Sequence, residues 1–491
     1  MANAVVGLAK YVDSAIVSTY NAKCMDGTPP IYWINTSPTG SKKWLLSLEG
    51  GGYCASSWSS CYDYGFKNSI NQGTSNSTIL NSRGYTVPAW DFSTNLGNYY
   101  SQDPNINPMM YDWNIVYMHY CDGGAWTSNL AGNVTYNGTA WLSDSAPEVA
   151  SGVPNGTTLY FRGYANKVSI LKDLEQNYGL LDATDIVVSG QSAGAFALYA
   201  YLDSISSMYS DKVVVGMPDS GFFLAVNYPS CNYMTQFQWI YDNMNSGSVI
   251  NAACVQSYTL KNGDPRNCMF AQYLIPYIQT PLFALQSSFD SSQYMYILCL
   301  VNTTDLTNET AIYGYSQLLR NVYYSSGMGA ARKSGFLSNC PRHYYYYNFT
   351  KPGAGNGDGV WSFNEWNGIG GYNTIGDDYS TAFGEFASQQ QAFSLWYTNK
   401  YSVGMNFQQS PVNPDATYLD YSYCSNAFVA TGGGGGDSSG ALGAGPIIGI
   451  ILACLFGFIF ILFAVIEFVR NWSLKRSFTG ASNSMSSQEN L

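Results

Sequence analysis

The chain has 491 residues, enough for one large α/β domain with a sizeable core and accessory segments. Only 11% of its residues are charged, 16% are aromatic, and the formal net charge is -11 at pH 7. A chain with this negative net charge is not expected to have a positively charged surface that binds a phosphate backbone. Nucleic acid is therefore excluded as an expected partner. The many tyrosines suit contact with sugar rings, since aromatic faces stack on them.

The chain contains 11 cysteines and 2 histidines. One cysteine, Cys454, lies in an apolar segment, and the even number that remains is compatible with disulfides. The cysteines form no repeated Cys-x-x-Cys pair and His119 lies far from His343, so we expect no metal site. Buried free thiols in a cytosolic protein are the alternative. Against that alternative stand the glycosylation sequons at Asn35, Asn76, Asn133, Asn137, Asn155, Asn302, Asn308 and Asn348.

Short apolar runs alternate with longer helical stretches along the chain. The predicted strands are 44–48, 114–118, 186–188, 212–216 and 281–285, and two predicted helices are 168–175 and 195–208. Such alternation is typical of a sheet covered by helices, with ligands at the carboxyl ends of the strands. We therefore predict an α/β-hydrolase-like domain with a mostly parallel central sheet.

The most informative motif is Gly190-Gln-Ser192-Ala-Gly194, which follows a β-branched strand and precedes a helical stretch. A serine on a tight strand-to-helix turn needs small neighbours, and this setting is typical of a nucleophile elbow. The alternative is an ordinary Gly/Ser turn. The motif makes Ser192 the candidate nucleophile.

A serine nucleophile needs a base and an acid. In hydrolases built on the elbow these follow in the order serine, acid, histidine, which selects His343 and excludes His119. Two aspartates fit the acid, because Asp219 and Asp290 each follow a predicted strand. The residue pattern does not choose between them.

An oxyanion needs backbone donors. One is expected from Ala193, the residue after the nucleophile, and others from Gly51 and Gly52 in the run Leu48-Glu-Gly-Gly-Gly-Tyr-Cys54. A phosphate loop is the competing interpretation of this glycine run, but no Gly-Lys-Ser/Thr follows. Acyl transfer of this kind requires neither a metal nor an organic cofactor.

The C-terminal part predicts a membrane anchor. Residues 447–466 carry no charge and are long enough to cross a bilayer, and Arg470, Lys475 and Arg476 follow them. We predict an extracellular domain over 1–430, a Gly/Ser-rich tether over 431–446, a transmembrane helix over 447–469 and a short cytosolic tail over 470–491.

The N-terminus conflicts with that topology. Residues 1–22 contain no secretory apolar region, because Lys10 and Asp13 interrupt every apolar run. Either a leader precedes the first residue given, or the C-terminal span inserts the chain and leaves the main domain in the cytosol. The cysteines and sequons favour the first alternative.

These residues together resemble the pectin acetylesterase family, which includes plant pectin acetylesterases and the animal carboxylesterase Notum. The resemblance spans roughly residues 20 to 425. It includes the glycine run, the elbow and five further segments, which are Tyr120-Cys-Asp-Gly-Gly-Ala-Trp126, Leu159-Tyr-Phe-Arg-Gly163, Asp219-Ser-Gly-Phe-Phe223, the stretch from Pro281-Leu-Phe to Asp290, and Asn339-Cys-Pro-Arg-His343. Gln191 stands where plant members tend to have cysteine.

The resemblance implies a triad of Ser192, Asp290 and His343, with Asp219 and Trp126 as pocket or structural residues near the site. It also implies disulfides, and the candidate pairs are Cys54 with Cys61 and Cys24 with Cys121.

The resemblance implies a serine carboxylesterase acting on an acylated polysaccharide or an acylated protein. The glycine run without an adjacent tryptophan favours acetyl esters on polysaccharide. Alternatives are a Notum-like deacylase of a lipidated protein and a catalytically silent surface protein that binds glycans or lipids. The sequence specifies no oligomeric state.

Overall fold

The computed structural model describes most of the first three hundred residues and parts of the rest. The described ranges are 6–67, 72–92, 98–105, 107–143, 147–228, 231–299, 309–330, 332–338, 343, 370–373, 387–401 and 406–408. All of them belong to one compact unit, Met1–Val429.

A 12-stranded sheet forms the centre of the fold, with the order β15-β14-β16-β13-β12-β11-β10-β3-β5-β2-β1-β4. The strands outside the order, β6 to β9, form a separate four-stranded sheet. The bounds are β1 Val6–Tyr11, β2 Ile31–Asn35, β3 Lys43–Leu48, β4 Ala89–Asp91, β5 Asn114–Met118, β6 Val134–Tyr136, β7 Ala140–Leu142, β8 Glu148–Val149, β9 Thr158–Leu159, β10 Asp185–Gln191, β11 Val213–Asp219, β12 Leu282–Ser287, β13 Lys333–Ser338, β14 Gly370–Asn373, β15 Ala387–Ser388 and β16 Asn406–Gln408.

The central sheet is mixed, which corrects the predicted mostly parallel arrangement. The run from β5 through β3, β10, β11, β12 and β13 to β16 is parallel. Both flanks are antiparallel, with β2, β1 and β4 on one side and β14 and β15 on the other. The apolar pattern of a strand does not encode its direction, so the flanking pairings could not be predicted from it.

Helices cover the sheet. They are α1 Ser14–Tyr20, α2 Trp58–Tyr62, α3 Ser77–Ser82, α4 Gly163–Asn177, α5 Ala193–Met208, α6 Tyr233–Asn243, α7 Ala252–Leu260, α8 Ala271–Leu274, α9 Ser291–Tyr296, α10 Glu309–Ser325 and α11 Gln389–Thr398. The two predicted helices fall within α4 and α5, and each predicted strand overlaps a strand of the central sheet.

Side chains alternate between two apolar cores on opposite faces of the sheet. On β3, Trp44 and Leu46 belong to one core, which includes Leu198 of α5, whereas Leu45 belongs to the other. That second core includes Phe393 of α11. Because successive strand residues point to opposite faces, helices on both sides are needed to bury them.

Four disulfides join described residues, including both pairs that the resemblance implies. The bridges are Cys24–Cys121, Cys54–Cys61, Cys231–Cys299 and Cys254–Cys268. Cys54–Cys61 closes a short loop directly after the glycine run.

Within the described ranges, no helix is long and apolar enough to span a membrane. The predicted tether, span and tail at 431–446, 447–469 and 470–491 lie outside those ranges. Near the other end, the interrupted apolar run forms β1 and α1, which belong to the folded unit.

Lys167 on α4 is a buried cation. Its side chain is packed between aromatic rings, with Nζ 3.7 Å from the ring centroid of Tyr201 and 4.5 Å from that of Tyr164. Only 1% of Lys167 is exposed, and Nζ has no hydrogen-bond partner among the described residues. Burial lowers the pKa of Lys167 to about 7.

We expect Lys167→Met to raise the free energy of unfolding by about 2 to 4 kcal/mol near neutral pH. The unfolded chain binds a proton that the folded chain releases, so wild-type stability rises with pH between about 7 and the ordinary lysine value of 10.5. The stability gained by Lys167→Met should therefore shrink at alkaline pH. Urea unfolding of both proteins at neutral and at alkaline pH would measure it. Lys172→Met, on the same helix but ion-paired with Glu175, is the control. An equal gain at both pH values would contradict the expectation.

Candidate active site

Ser192 lies on the turn between β10 and α5. Its backbone has φ 51 and ψ -117, a combination that residues other than glycine rarely adopt. The turn is possible because the residues two positions before and after Ser192 are glycines. A Cβ on Gly194 would lie 2.1 Å from the carbonyl oxygen of Leu48, and one on Gly190 would lie 2.6 Å from backbone atoms of Gly194. The predicted strand, turn and helix are all present, and Ser192 itself is 7% exposed.

A chain of hydrogen bonds joins Ser192 to His343 and Asp290. His343 Nε2 lies 2.7 Å from Ser192 Oγ, and His343 Nδ1 lies 2.8 Å from Asp290 Oδ1. With a proton on Nδ1, His343 donates to the carboxylate and its Nε2 can accept from the serine hydroxyl. Residues separated by 151 positions in the chain therefore meet at the carboxyl ends of the parallel strands.

Four further groups hold the carboxylate of Asp290, which is fully buried. It caps α9, where Oδ1 accepts from the amides of Ser292 at 3.0 Å and Gln293 at 3.3 Å. The side-chain amides of Gln286 and Gln293 donate to Oδ2 at 3.1 and 3.3 Å. Neither glutamine was among the residues predicted for the site. The one available signal was a polar residue, Gln286, at the end of an apolar strand.

Asp219, the other candidate acid, lies at the end of β11 under the elbow. Its carboxylate accepts from the hydroxyl of Tyr99 at 2.9 Å and from that of Ser220 at 3.0 Å. Its backbone carbonyl accepts from the amide of Ser192 at 3.0 Å. The structure thus brings Asp290 to His343 and places Asp219 where it supports the turn.

The glycine run passes directly against the elbow. A Cβ on Gly50 would lie 2.6 Å from the carbonyl oxygen of Gln191 and 3.0 Å from Ser192 Cβ. Gly51 and Gly52 have φ values of 154 and 74, which favour glycine. Only glycine therefore allows this loop to approach the serine so closely.

Three polar side chains hold the carbonyl groups of the glycine run. Gln72 donates to the oxygen of Gly50 at 3.4 Å, Tyr64 to that of Gly51 at 2.6 Å, and Tyr120 to that of Gly52 at 3.0 Å. None of the three was predicted in this role, since no local sequence pattern marks a side chain that donates to a particular backbone carbonyl.

The amides of Gly51, Gly52 and Ala193 have no acceptor among the described residues. They are thus available to bind a negatively charged oxygen.

A buried ion pair anchors the start of the glycine run. His119 Nδ1 lies 2.6 Å from Glu49 Oε2, and the amide of Tyr120 also donates to that oxygen at 2.8 Å. Burial raises the pKa of Glu49, but His119, Arg83 and Tyr85 together lower it by more, so the pKa lies below its usual value. Trp126 donates from its indole to the carbonyl of Glu49 at 2.9 Å. Trp126 therefore has a structural role beside the site.

No group of three or more histidine, cysteine, aspartate or glutamate residues suited to a metal ion occurs in the described part of the chain.

The fold and site define an α/β hydrolase with a nucleophile elbow. A family model described as Pectinacetylesterase matches residues 7–312. The chain belongs to the pectinacetylesterase family, as the resemblance of its motifs predicts.

The relatives include enzymes named for two kinds of substrate. Pectin acetylesterase 5 from Arabidopsis thaliana is 28% identical over 293 residues, which cover 59% of this chain and 60% of the relative. Palmitoleoyl-protein carboxylesterase NOTUM from Schmidtea mediterranea is 25% identical over 299 residues, which cover 56% of this chain and 47% of the relative. The matched part thus spans less than two thirds of the length of these relatives.

A solved structure has the same fold. The structure of the Wnt deacylase Notum from Drosophila aligns with a TM-score of 0.58 at 19% identity, covering 82% of this chain and 96% of that one.

Proposed function

We propose that this chain is a serine carboxylesterase in which Ser192, His343 and Asp290 act as a catalytic triad. The hydrogen-bond chain from Ser192 through His343 to Asp290 is the observation that carries the proposal. His343 takes the hydroxyl proton as Ser192 attacks the ester carbonyl, and Asp290 stabilises the imidazolium that forms. The names of the relatives, all carboxylic ester hydrolases, support this reaction class.

The amides of Gly51, Gly52 and Ala193 bind the oxyanion. They meet the developing charge without reorganising, because the carbonyl groups of the glycine run are already held in place. Protonated His343 then donates its proton to the departing alcohol. Water, activated by the same histidine, releases the carboxylic acid and restores Ser192.

A short acyl group, most simply acetyl on a polysaccharide, is the proposed substrate. The ring of Phe223 stacks on that of His343 at 6.1 Å between centroids. Phe223 belongs to a buried aromatic cluster, whose members are at most 8% exposed. Ring centroids in contact within the cluster are 4.6 to 6.3 Å apart, and its members are Phe196, Phe223, Tyr233, Phe237 and Phe270. We infer from this packing that the space beside the base suits a short acyl group better than a long one.

The test compares p-nitrophenyl acetate with p-nitrophenyl octanoate, together with labelling of the folded protein by a fluorophosphonate. We expect an adduct on Ser192 and a kcat/KM for acetate at least tenfold higher. Faster turnover of octanoate would favour deacylation of a lipidated protein. Absence of an adduct would favour a silent binding protein.

The domain is proposed to lie outside the cell, anchored to the membrane by residues 447–469. Four disulfides among the described residues support an oxidising compartment, and the sequons and the cations after the apolar segment agree with it. We expect glycosidase treatment of the expressed chain to increase its gel mobility. Unchanged mobility would count against this location.

A further inference from the structure

A cavity of about 470 Å³ lies between α6, β6 and the loops that flank them. This volume is within the usual range for small-ligand sites. The described lining does not include Ser192, His343 or Asp290, so the cavity is separate from the proposed triad. Six of its lining residues decide its chemistry: Trp58, Asn133, Tyr241, Asp242, Asn243 and Asn245.

Two aromatic residues contribute to the wall. The ring of Trp58 is held by Trp239 and Phe161, with centroids 4.8 and 5.1 Å away. Tyr241, on the last turn of α6, is half-buried. Trp58 is only 2% exposed and so supports the wall from behind, whereas the accessible ring of Tyr241 suits the C–H face of a sugar ring.

Three side-chain amides in the wall are each held by a hydrogen bond to the protein. Asn133 Oδ1 accepts from Arg162 at 3.1 Å, whereas Nδ2 of Asn243 and of Asn245 donate to backbone carbonyls at 3.0 and 3.1 Å. The opposite atom of each amide has no partner among the described residues. Asn133 Nδ2 can therefore donate to sugar hydroxyls, and Asn243 Oδ1 and Asn245 Oδ1 can accept from them.

The charges disfavour an acidic sugar. No lysine or arginine lies among the described lining residues, and the carboxylate there, Asp242, is paired with Arg266 at 3.2 Å. The chain as a whole has a formal charge of -11. A uronate would find no cation in this cavity to compensate its own charge, whereas an uncharged sugar would need none.

Two elements link the cavity to the serine site. Helix α6 begins at Tyr233, in the aromatic cluster beside His343, and reaches Tyr241 after about 12 Å of helix. Trp58 lies in the loop closed by Cys54–Cys61, directly after the glycine run. We propose that the cavity is a second subsite that binds an uncharged stretch of the polysaccharide substrate. This inference rests on the proposed function for its substrate.

A glycan attached to Asn133 would have the same chemistry. Asn133 begins one of the sequons, Asn133-Val-Thr, and it also lines the cavity. The experiment must therefore separate a free chain from the protein's own glycan.

The experiment titrates the full chain carrying Ser192→Ala, which cannot turn over substrate, with xylohexaose, mannohexaose and hexagalacturonate by calorimetry. We expect saturable binding of at least one uncharged hexasaccharide, with hexagalacturonate at least tenfold weaker. Adding Tyr241→Ala, or separately Asn243→Ala, should raise Kd at least tenfold. Tyr313→Ala is the control, since that tyrosine is 46% exposed on α10 and should leave Kd unchanged.

The outcomes separate this inference from the proposed function. Equal binding of hexagalacturonate, no saturable binding, or a Kd unaffected by both substitutions would overturn the subsite. Tighter binding after Thr135→Ala, which removes the sequon but keeps Asn133 in the wall, would assign the cavity to the protein's own glycan and overturn the substrate assignment, whereas an unchanged Kd supports a free chain. Failure of the esterase test in the parent chain would leave these binding results unaffected.

Discussion

Replacing Ser192 with alanine is expected to lower kcat on p-nitrophenyl acetate by about 10⁵- to 10⁶-fold, with little change in KM. The hydroxyl is the only group of the proposed triad that forms a bond to the acyl carbon. Its loss removes the acyl-enzyme route, whereas the oxyanion donors remain and leave a small residual rate. The measurement is steady-state hydrolysis with protein purified from a host that lacks background esterase.

A neighbouring serine provides the matched control. Ser189 is also buried, on β10, but its hydroxyl donates to the backbone carbonyl of Met217 at 3.0 Å. Ser189→Ala should cost about 1 kcal/mol of stability and change kcat only a few-fold. If the two variants retain similar activity, hydrolysis does not proceed through Ser192.

Replacing Asp290 with asparagine is expected to lower kcat by about 10⁴-fold. An asparagine can still accept from the amides of Ser292 and Gln293, so the cap of α9 and the fold should survive. The amide cannot stabilise the imidazolium of His343 as a carboxylate does, and its NH2 group would face the side-chain amides of Gln286 and Gln293, which donate to Oδ2 in the wild type. The same esterase assay measures the loss.

Asp219→Asn is the discriminating comparison, because both aspartates fit the residue pattern. Its backbone carbonyl, which accepts from the amide of Ser192, is retained in the variant. The lost contacts are those of its carboxylate with Tyr99 and Ser220. We expect a cost of about 1 to 3 kcal/mol in stability and less than tenfold in kcat. A larger loss of kcat in Asp219→Asn than in Asp290→Asn would reverse the assignment of the acid.

The fold was predictable where local patterns carry the information. The apolar runs that become β3, β5, β10, β11 and β12 could be found from the local sequence, because buried parallel strands are continuous apolar segments. The antiparallel flanks and the sheet of β6 to β9 could not. Their strands are mostly two to six residues long, and their pairing depends on contacts between distant segments.

The sequence by itself determined the family, the serine motif and the histidine that the order of elbow hydrolases requires. Those inferences depend on short motifs and on order along the chain, which a sequence states directly. The resemblance implied that Asp290 is the acid, but only the tertiary structure brings its carboxylate to His343 and identifies the side chains that hold the glycine run. Hydrogen bonds of 2.7 to 2.9 Å between segments many residues apart depend on how the sheet brings strand ends together, and no local pattern contains that distance.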